Sequence, residues 1–106
     1  MREESNPYRI PAGPDLDVMV HREVFNLEGE APPYSTSDAL ARKLKAQVES
    51  RFRILILTGR SKMRHRPFFA RYESDESDGT EVVAETLPLA LCRLALLRAR
   101  KQALYD

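Results

Sequence analysis

Basic side chains cluster in one short segment of the chain, between two runs of alternating apolar residues. The cluster consists of Arg60, Lys62, Arg64, His65 and Arg66. Cationic side chains bind the phosphate backbone of nucleic acids, and each such contact releases condensed counterions. The pattern therefore indicates a nucleic-acid contact. The alternative is a solvated turn, since no aromatic ladder accompanies the cations to stack single-stranded bases.

Metal binding and catalysis find little support in the residue types. The chain has two histidines, His21 and His65, and one cysteine, Cys92. A zinc site needs three or four converging ligands, and Cys92 has no activating group beside it in the sequence. The acidic stretch at residues 75–78 lacks the spacing and the closing glutamate of a calcium loop. We therefore predict no metal, no cofactor and no catalytic residue.

Composition limits the class of protein. Hydrophobic residues make up 42% of the 106 residues, which suits one small globular domain. No apolar run approaches the roughly 18 residues of a membrane span, and the polar start is unlike a secretory signal. A lone cysteine cannot form an internal disulfide. We therefore predict a cytoplasmic protein without membrane association.

Hydrophobic periodicity predicts the elements of the first half of the chain. Residues 1–13 predict an extended arm, and residues 14–106 predict a single domain. Pro14 suits the first position of a helix, whose apolar stripe continues until Gly29. Ser35 or Thr36 would then cap a second, amphipathic helix.

The second half alternates with the period of two that is typical of strands. Apolar residues on both faces of the run 52–58 predict a sheet covered on both sides. Residues 66–73 predict a second strand, and Pro67 favours a strand start or an edge. A short third strand would cover residues 80–85. The order α-α-β-β-(β)-α predicts an α+β fold, an α-β-α sandwich with a small antiparallel sheet packed by helices.

The last helix begins near Thr86 and carries more apolar side chains than one buried face needs. Small residues around Cys92 are typical of a helix that lies close to a sheet and forms the centre of a fold. A second arc of larger side chains consists of Leu94, Leu97 and Leu104. Either the first helix or the N-terminal arm covers this arc, or the arc forms an oligomer or partner interface.

Three segments together resemble the phage ABA sandwich domain family. They are AGPDLDVMV at residues 12–20, PPYST at residues 32–36 and AETLPLALCRLALL at residues 84–97. The resemblance covers roughly residues 12–98. It implies an α-β-α sandwich and a setting in bacteriophages or prophages, and hence the cytoplasm of a bacterial host cell. The family's members are largely without assigned function, so it supplies no catalytic residues. The tryptophans that relatives often carry are missing here.

These observations predict a phage or prophage accessory protein that is not an enzyme. It would act by binding a protein partner, from the host or the phage, or by self-association. The contact would be the second arc of the last helix or an exposed sheet edge at residues 66–73. The alternative is a small nucleic-acid-binding module that uses residues 60–66.

Overall fold

The computed structural model describes residues 9–73 and 80–105, except for the side chains at positions 73 and 102–105. The elements are, in chain order, α1 (Pro14–Glu23), α2 (Asp38–Phe52), β1 (Leu55–Arg60), β2 (Phe68–Glu73), β3 (Glu81–Ala84) and α3 (Leu87–Tyr105). The predicted α+β class and element order are confirmed, including the short third strand. The predicted arm at residues 1–13 lies mostly outside the described residues, but Ile10 is buried in the core.

Helix α1 begins at Pro14 as predicted, because a missing N–H costs nothing at that position. It ends at Glu23, earlier than the apolar stripe predicts. Asn26 adopts the left-handed conformation with φ of 55°, which asparagine tolerates better than most residues. The chain then leaves the helix axis, and Leu27 is 50% exposed instead of extending the stripe.

Helix α2 is capped by Ser37, whose Oγ accepts a hydrogen bond of 3.2 Å from the N–H of Leu40. The prediction that Ser35 or Thr36 supplies this cap is wrong, since the cap lies further along the chain. The helix ends where Arg53 takes the left-handed conformation and donates its N–H to the carbonyl of Glu49. This sharp end turns the chain directly into β1.

The three strands form an antiparallel meander in the order β1-β2-β3. Strand β2 is the central strand and is hydrogen-bonded on both sides. The prediction of an exposed sheet edge at residues 66–73 is therefore wrong, and β1 and β3 are the edges. Pro67 precedes β2, and its carbonyl accepts a hydrogen bond of 2.7 Å from Ser61 that closes the turn between β1 and β2.

One face of the sheet packs against the helices. Its buried side chains are Ile56, Ala70, Tyr72, Val82 and Ala84. Helix α3 covers β2 and β3 on this face, α2 contacts β1 and α3, and α1 packs on α3. In residues 9–73 and 80–105, the expectation of a sheet covered on both sides is thus met on one face only, and the other face is half exposed.

Helix α3 is the central helix of the fold, as its small residues predict. Residues 88–96 are buried all around the helix, because the sheet, α1, α2 and the segment around Ile10 surround it. Cys92 and Ala90 are 0% exposed. A helix enclosed in this way needs apolar side chains on every face, which explains its second apolar arc.

Candidate functional site

A buried polar cluster joins the start of α1 to the segment before α2. The carboxylate of Asp17 accepts hydrogen bonds from the N–H of Ser35 at 2.8 Å and from its hydroxyl at 2.7 Å. The N–H of Gly13 donates to the same hydroxyl oxygen at 2.9 Å. Asp17 is 5% exposed and Ser35 is fully buried. A hydroxyl so enclosed cannot reach a substrate, so the cluster holds the fold together.

Aromatic packing continues this cluster. His21 Nδ1 and the hydroxyl of Tyr34 are hydrogen-bonded at 2.9 Å, and Phe25 stacks on Tyr34 with ring centroids 5.3 Å apart. Burial raises the pKa of the Tyr34 hydroxyl, with smaller contributions from Cys92 and Asp17. Tyr34 is thus packed against α1 and Phe25 just before α2 begins.

Metal and thiol chemistry are not supported by the geometry. Within residues 9–73 and 80–105, no group of three or more His, Cys, Asp or Glu side chains is placed to hold a metal ion. Cys92 is a free, buried cysteine. Burial, and secondarily the charge of Asp17, raise the pKa of its thiol far above the ordinary value of 9.0. A thiol held protonated in this way is a poor nucleophile.

We expect the Cys92 thiol to be unreactive toward a thiol reagent at pH 8 in the native protein and reactive once denaturant unfolds it. Above about pH 9 the unfolded thiol loses its proton while the folded thiol keeps it, so stability falls as pH rises. The expected slope is about −0.7 kcal/mol per pH unit at pH 9 and approaches about −1.4 kcal/mol per pH unit near pH 10, measured by denaturant titrations at several pH values. Cys92→Ala should remove this slope between pH 9 and 10. Rapid labelling of the native thiol would contradict the assignment.

The basic side chains of residues 60–66, a segment that we call the basic turn, lie at the surface. Lys62, Arg64, His65 and Arg66 are exposed. The guanidinium of Arg60 lies over the ring of Phe68, 5.3 Å from its centroid, on the helix side of the sheet. Strand register places Arg71 on the opposite side, so these two arginines form no common stripe. Nucleic-acid binding by the turn stays a prediction.

The second apolar arc of α3 offers little surface. Leu94 is 1% exposed, which removes it from the proposed interface, because the domain itself covers it. Leu97 is half-buried and packs against the core. The side chain of Leu104 lies outside the described residues. The alternative in which the domain covers the arc thus holds for Leu94.

Among the described residues, no helix covers the second side of the sheet, which carries apolar side chains and which we call the open face. Strand register assigns it the side chains of Leu55, Leu57, Phe69, Arg71, Glu81 and Val83, with Gly59 between them. Leu55 is 54% exposed, and Leu57, Phe69 and Val83 are half-buried. The Phe69 ring covers Gly59 so closely that a Cβ there would lie 2.7 Å from it. Sequence reasoning missed this surface, since its apolar pattern alone predicts a covered face.

Comparison of the chain with protein-family models, with curated proteins and with solved structures found no match. The resemblance to the phage ABA sandwich domain family therefore stays a prediction. Among the helices of the described ranges, none has the length and apolar character to cross a membrane. The case for function thus depends on the surfaces of the fold.

Proposed function

We propose that the protein is a non-catalytic binding module that self-associates through the open face of its sheet. The observation that carries this proposal is the exposure of Leu55 beside Leu57, Phe69 and Val83 on one side of the sheet. A contiguous apolar patch on a small domain marks an interaction surface more often than isolated apolar residues do. The phage or prophage setting implied by the resemblance belongs to the same proposal.

Charge on the open face favours a second copy of the chain as the partner. Arg71 and Glu81 lie directly opposite each other on β2 and β3, so this part of the face carries both signs. A two-fold dimer brings the same patch together with itself, which requires a self-complementary surface. Patches of one sign would repel, whereas a face that carries both signs can meet a second copy of itself without that repulsion.

The size of the open face sets the expected affinity. Three strands about 4.8 Å apart, the longest with six residues rising about 3.3 Å each, cover roughly 15 by 20 Å. This is smaller than the ~800 Å² per partner of a standard interface. We therefore expect a weak dimer with a dissociation constant on the order of 10 to 100 μM.

Leu55→Glu is expected to weaken dimerisation at least about tenfold, because it places a carboxylate in the apolar patch. Sedimentation equilibrium over a concentration series measures this effect. Leu27→Glu is the matched control, since Leu27 is 50% exposed and lies away from the sheet in the loop after α1. It should leave the dissociation constant unchanged.

Two outcomes would contradict the proposal. If the wild-type protein stays monomeric up to about 1 mM, the open face does not mediate self-association. Equal effects of Leu55→Glu and Leu27→Glu would show that added negative charge weakens association regardless of place. If a different protein binds the open face and the chain does not dimerise, the open face is an interaction surface but self-association is wrong.

A further inference from the structure

A pocket of ≈ 720 Å³ opens where the segment before α1, the basic turn and the start of α3 meet. Its walls include Arg9, Arg66, Arg93, Glu85, Pro11 and Leu89. The volume lies within the range of about 300 to 1,000 Å³ that is common for small-molecule sites. Arg66 and Arg93 bring two positive charges to the wall of this cavity, and Glu85 brings one negative charge.

Arg93 is the buried member of this group. It is 5% exposed, and its Nε donates a hydrogen bond of 2.9 Å to the carbonyl of Ile10. Its Nη1 is buried and has no hydrogen-bond partner among the described residues. A buried donor of a charged group without a partner is costly, so a retained one calls for a ligand or another role.

The charges around the pocket favour an anion beside Arg93. Burial lowers the pKa of Arg93, Glu85 opposes this shift, and Arg66 adds to it as a neighbouring positive charge. Arg66 is exposed and approaches from the basic turn, so two guanidiniums repel each other across the pocket. An anion between them would replace repulsion with two favourable contacts.

The start of α3 adds a favourable field but few free donors. The positive end of the helix dipole borders the pocket at Thr86. The Thr86 hydroxyl already accepts the N–H of Leu89 at 3.3 Å, and Pro88 has no N–H to offer. Hydrogen bonds to an anion must therefore come mainly from the guanidinium groups, whose planar forks suit the oxygens of phosphate.

We propose that this pocket binds the phosphoryl group of a small phosphorylated molecule, held by Arg93 and Arg66. The organic part of the ligand would lie against Pro11 and Leu89, because these apolar side chains line the same cavity. The site shares no residue with the open face. Failure of one proposal therefore leaves the other intact.

The test is an NMR titration of the protein with inorganic phosphate and with phenyl phosphate, at constant ionic strength. Both probes are expected to shift the Arg93 Nε–H resonance, and phenyl phosphate should bind more tightly because of its apolar ring. Arg93→Met and Arg66→Gln should each weaken phenyl phosphate binding at least about tenfold. Lys62→Gln, an exposed change in the same turn, should leave it unchanged.

Arg66→Gln keeps the proposal testable if Arg93→Met fails to fold, since Arg66 is exposed. No shift of the Arg93 resonance, or shifts equal to those caused by chloride, would overturn the site. A duplex oligonucleotide without terminal phosphates provides the second arm. If it binds more tightly than phenyl phosphate and Lys62→Gln weakens it as much as Arg66→Gln, the turn binds a nucleic-acid backbone and the small-molecule site is wrong.

Discussion

Asp17→Ala is expected to lower the free energy of unfolding by about 3 to 4 kcal/mol. The change removes the acceptor of two short hydrogen bonds and leaves the buried N–H and hydroxyl of Ser35 without it. A hydrogen bond to a charged group contributes about 1.5 to 3 kcal/mol, and each buried donor left unsatisfied costs about 1 to 3 kcal/mol. The two effects overlap, so their sum is an upper bound. Chemical denaturation measures the loss, and the melting temperature should fall by roughly 10 to 20 °C.

Two variants separate the hydrogen bonds of Asp17 from its charge and its place in the helix. Asp17→Asn retains an oxygen at the position that accepts both bonds from Ser35, so we expect about half of the loss. Asp15→Ala removes another carboxylate from the first turn of α1, but Asp15 is exposed. Its loss should stay within about 0.5 kcal/mol. Equal losses from Asp15→Ala and Asp17→Ala would mean that helix-dipole charge, and not the buried bonds, accounts for the effect.

Local patterns predicted the helices and strands because each depends on neighbouring residues. Pro14 begins α1 as predicted. The run around Ile56 forms β1, but the strand covers Leu55–Arg60 instead of the predicted 52–58, because α2 continues to Phe52. The role of Ser35 could not be predicted in this way. Its partner Asp17 lies 18 residues earlier in the chain, and a serine before a helix is read first as a cap.

The coverage of the sheet was harder to predict than its strands. Alternation shows that both faces of β1 are apolar, but it does not show which helices are available to cover them. Helix α3 packs on β2 and β3, and both α1 and α2 pack on α3, so the three helices lie on the same side of the sheet. Within the described part of the chain, no helix is then left to cover the apolar residues around Leu55 and Phe69.

Arg66 shows that local sequence patterns are also insufficient to predict the candidate sites. Sequence reasoning grouped it with the cations of its own turn, whereas the fold places it beside Arg93, 27 residues later, and Arg9. An arginine at position 93, within the apolar run 87–97, is the local signal that could have indicated the pocket. The role of Arg93 depends on Ile10 and Glu85, which are distant in the sequence or on another segment and which the tertiary structure places beside it.

Leu94→Ala is expected to lower the free energy of unfolding by about 3 kcal/mol and to leave self-association unchanged. Leu94 is 1% exposed in the middle of α3, so truncation leaves a cavity among closely packed neighbours. Large-to-small changes of this kind cost about 2 to 5 kcal/mol, depending on how far the surroundings relax. Denaturation measures the loss, and sedimentation equilibrium at a concentration where the variant is folded measures association.

The contrast with Leu97→Ala decides between a core residue and an interface residue. Leu97 is only half-buried on the same arc, so its truncation should cost clearly less, about 1 kcal/mol. If the arc were an interface, both variants would weaken association and Leu94→Ala would leave the monomer almost as stable as before. If the arc belongs to the core, Leu94→Ala lowers the free energy of unfolding more than Leu97→Ala does. Dimerisation is then weakened by Leu55→Glu and not by these two variants. The second result would leave the open face of the sheet as the only apolar surface, among those identified in the described residues, that is available for a second copy.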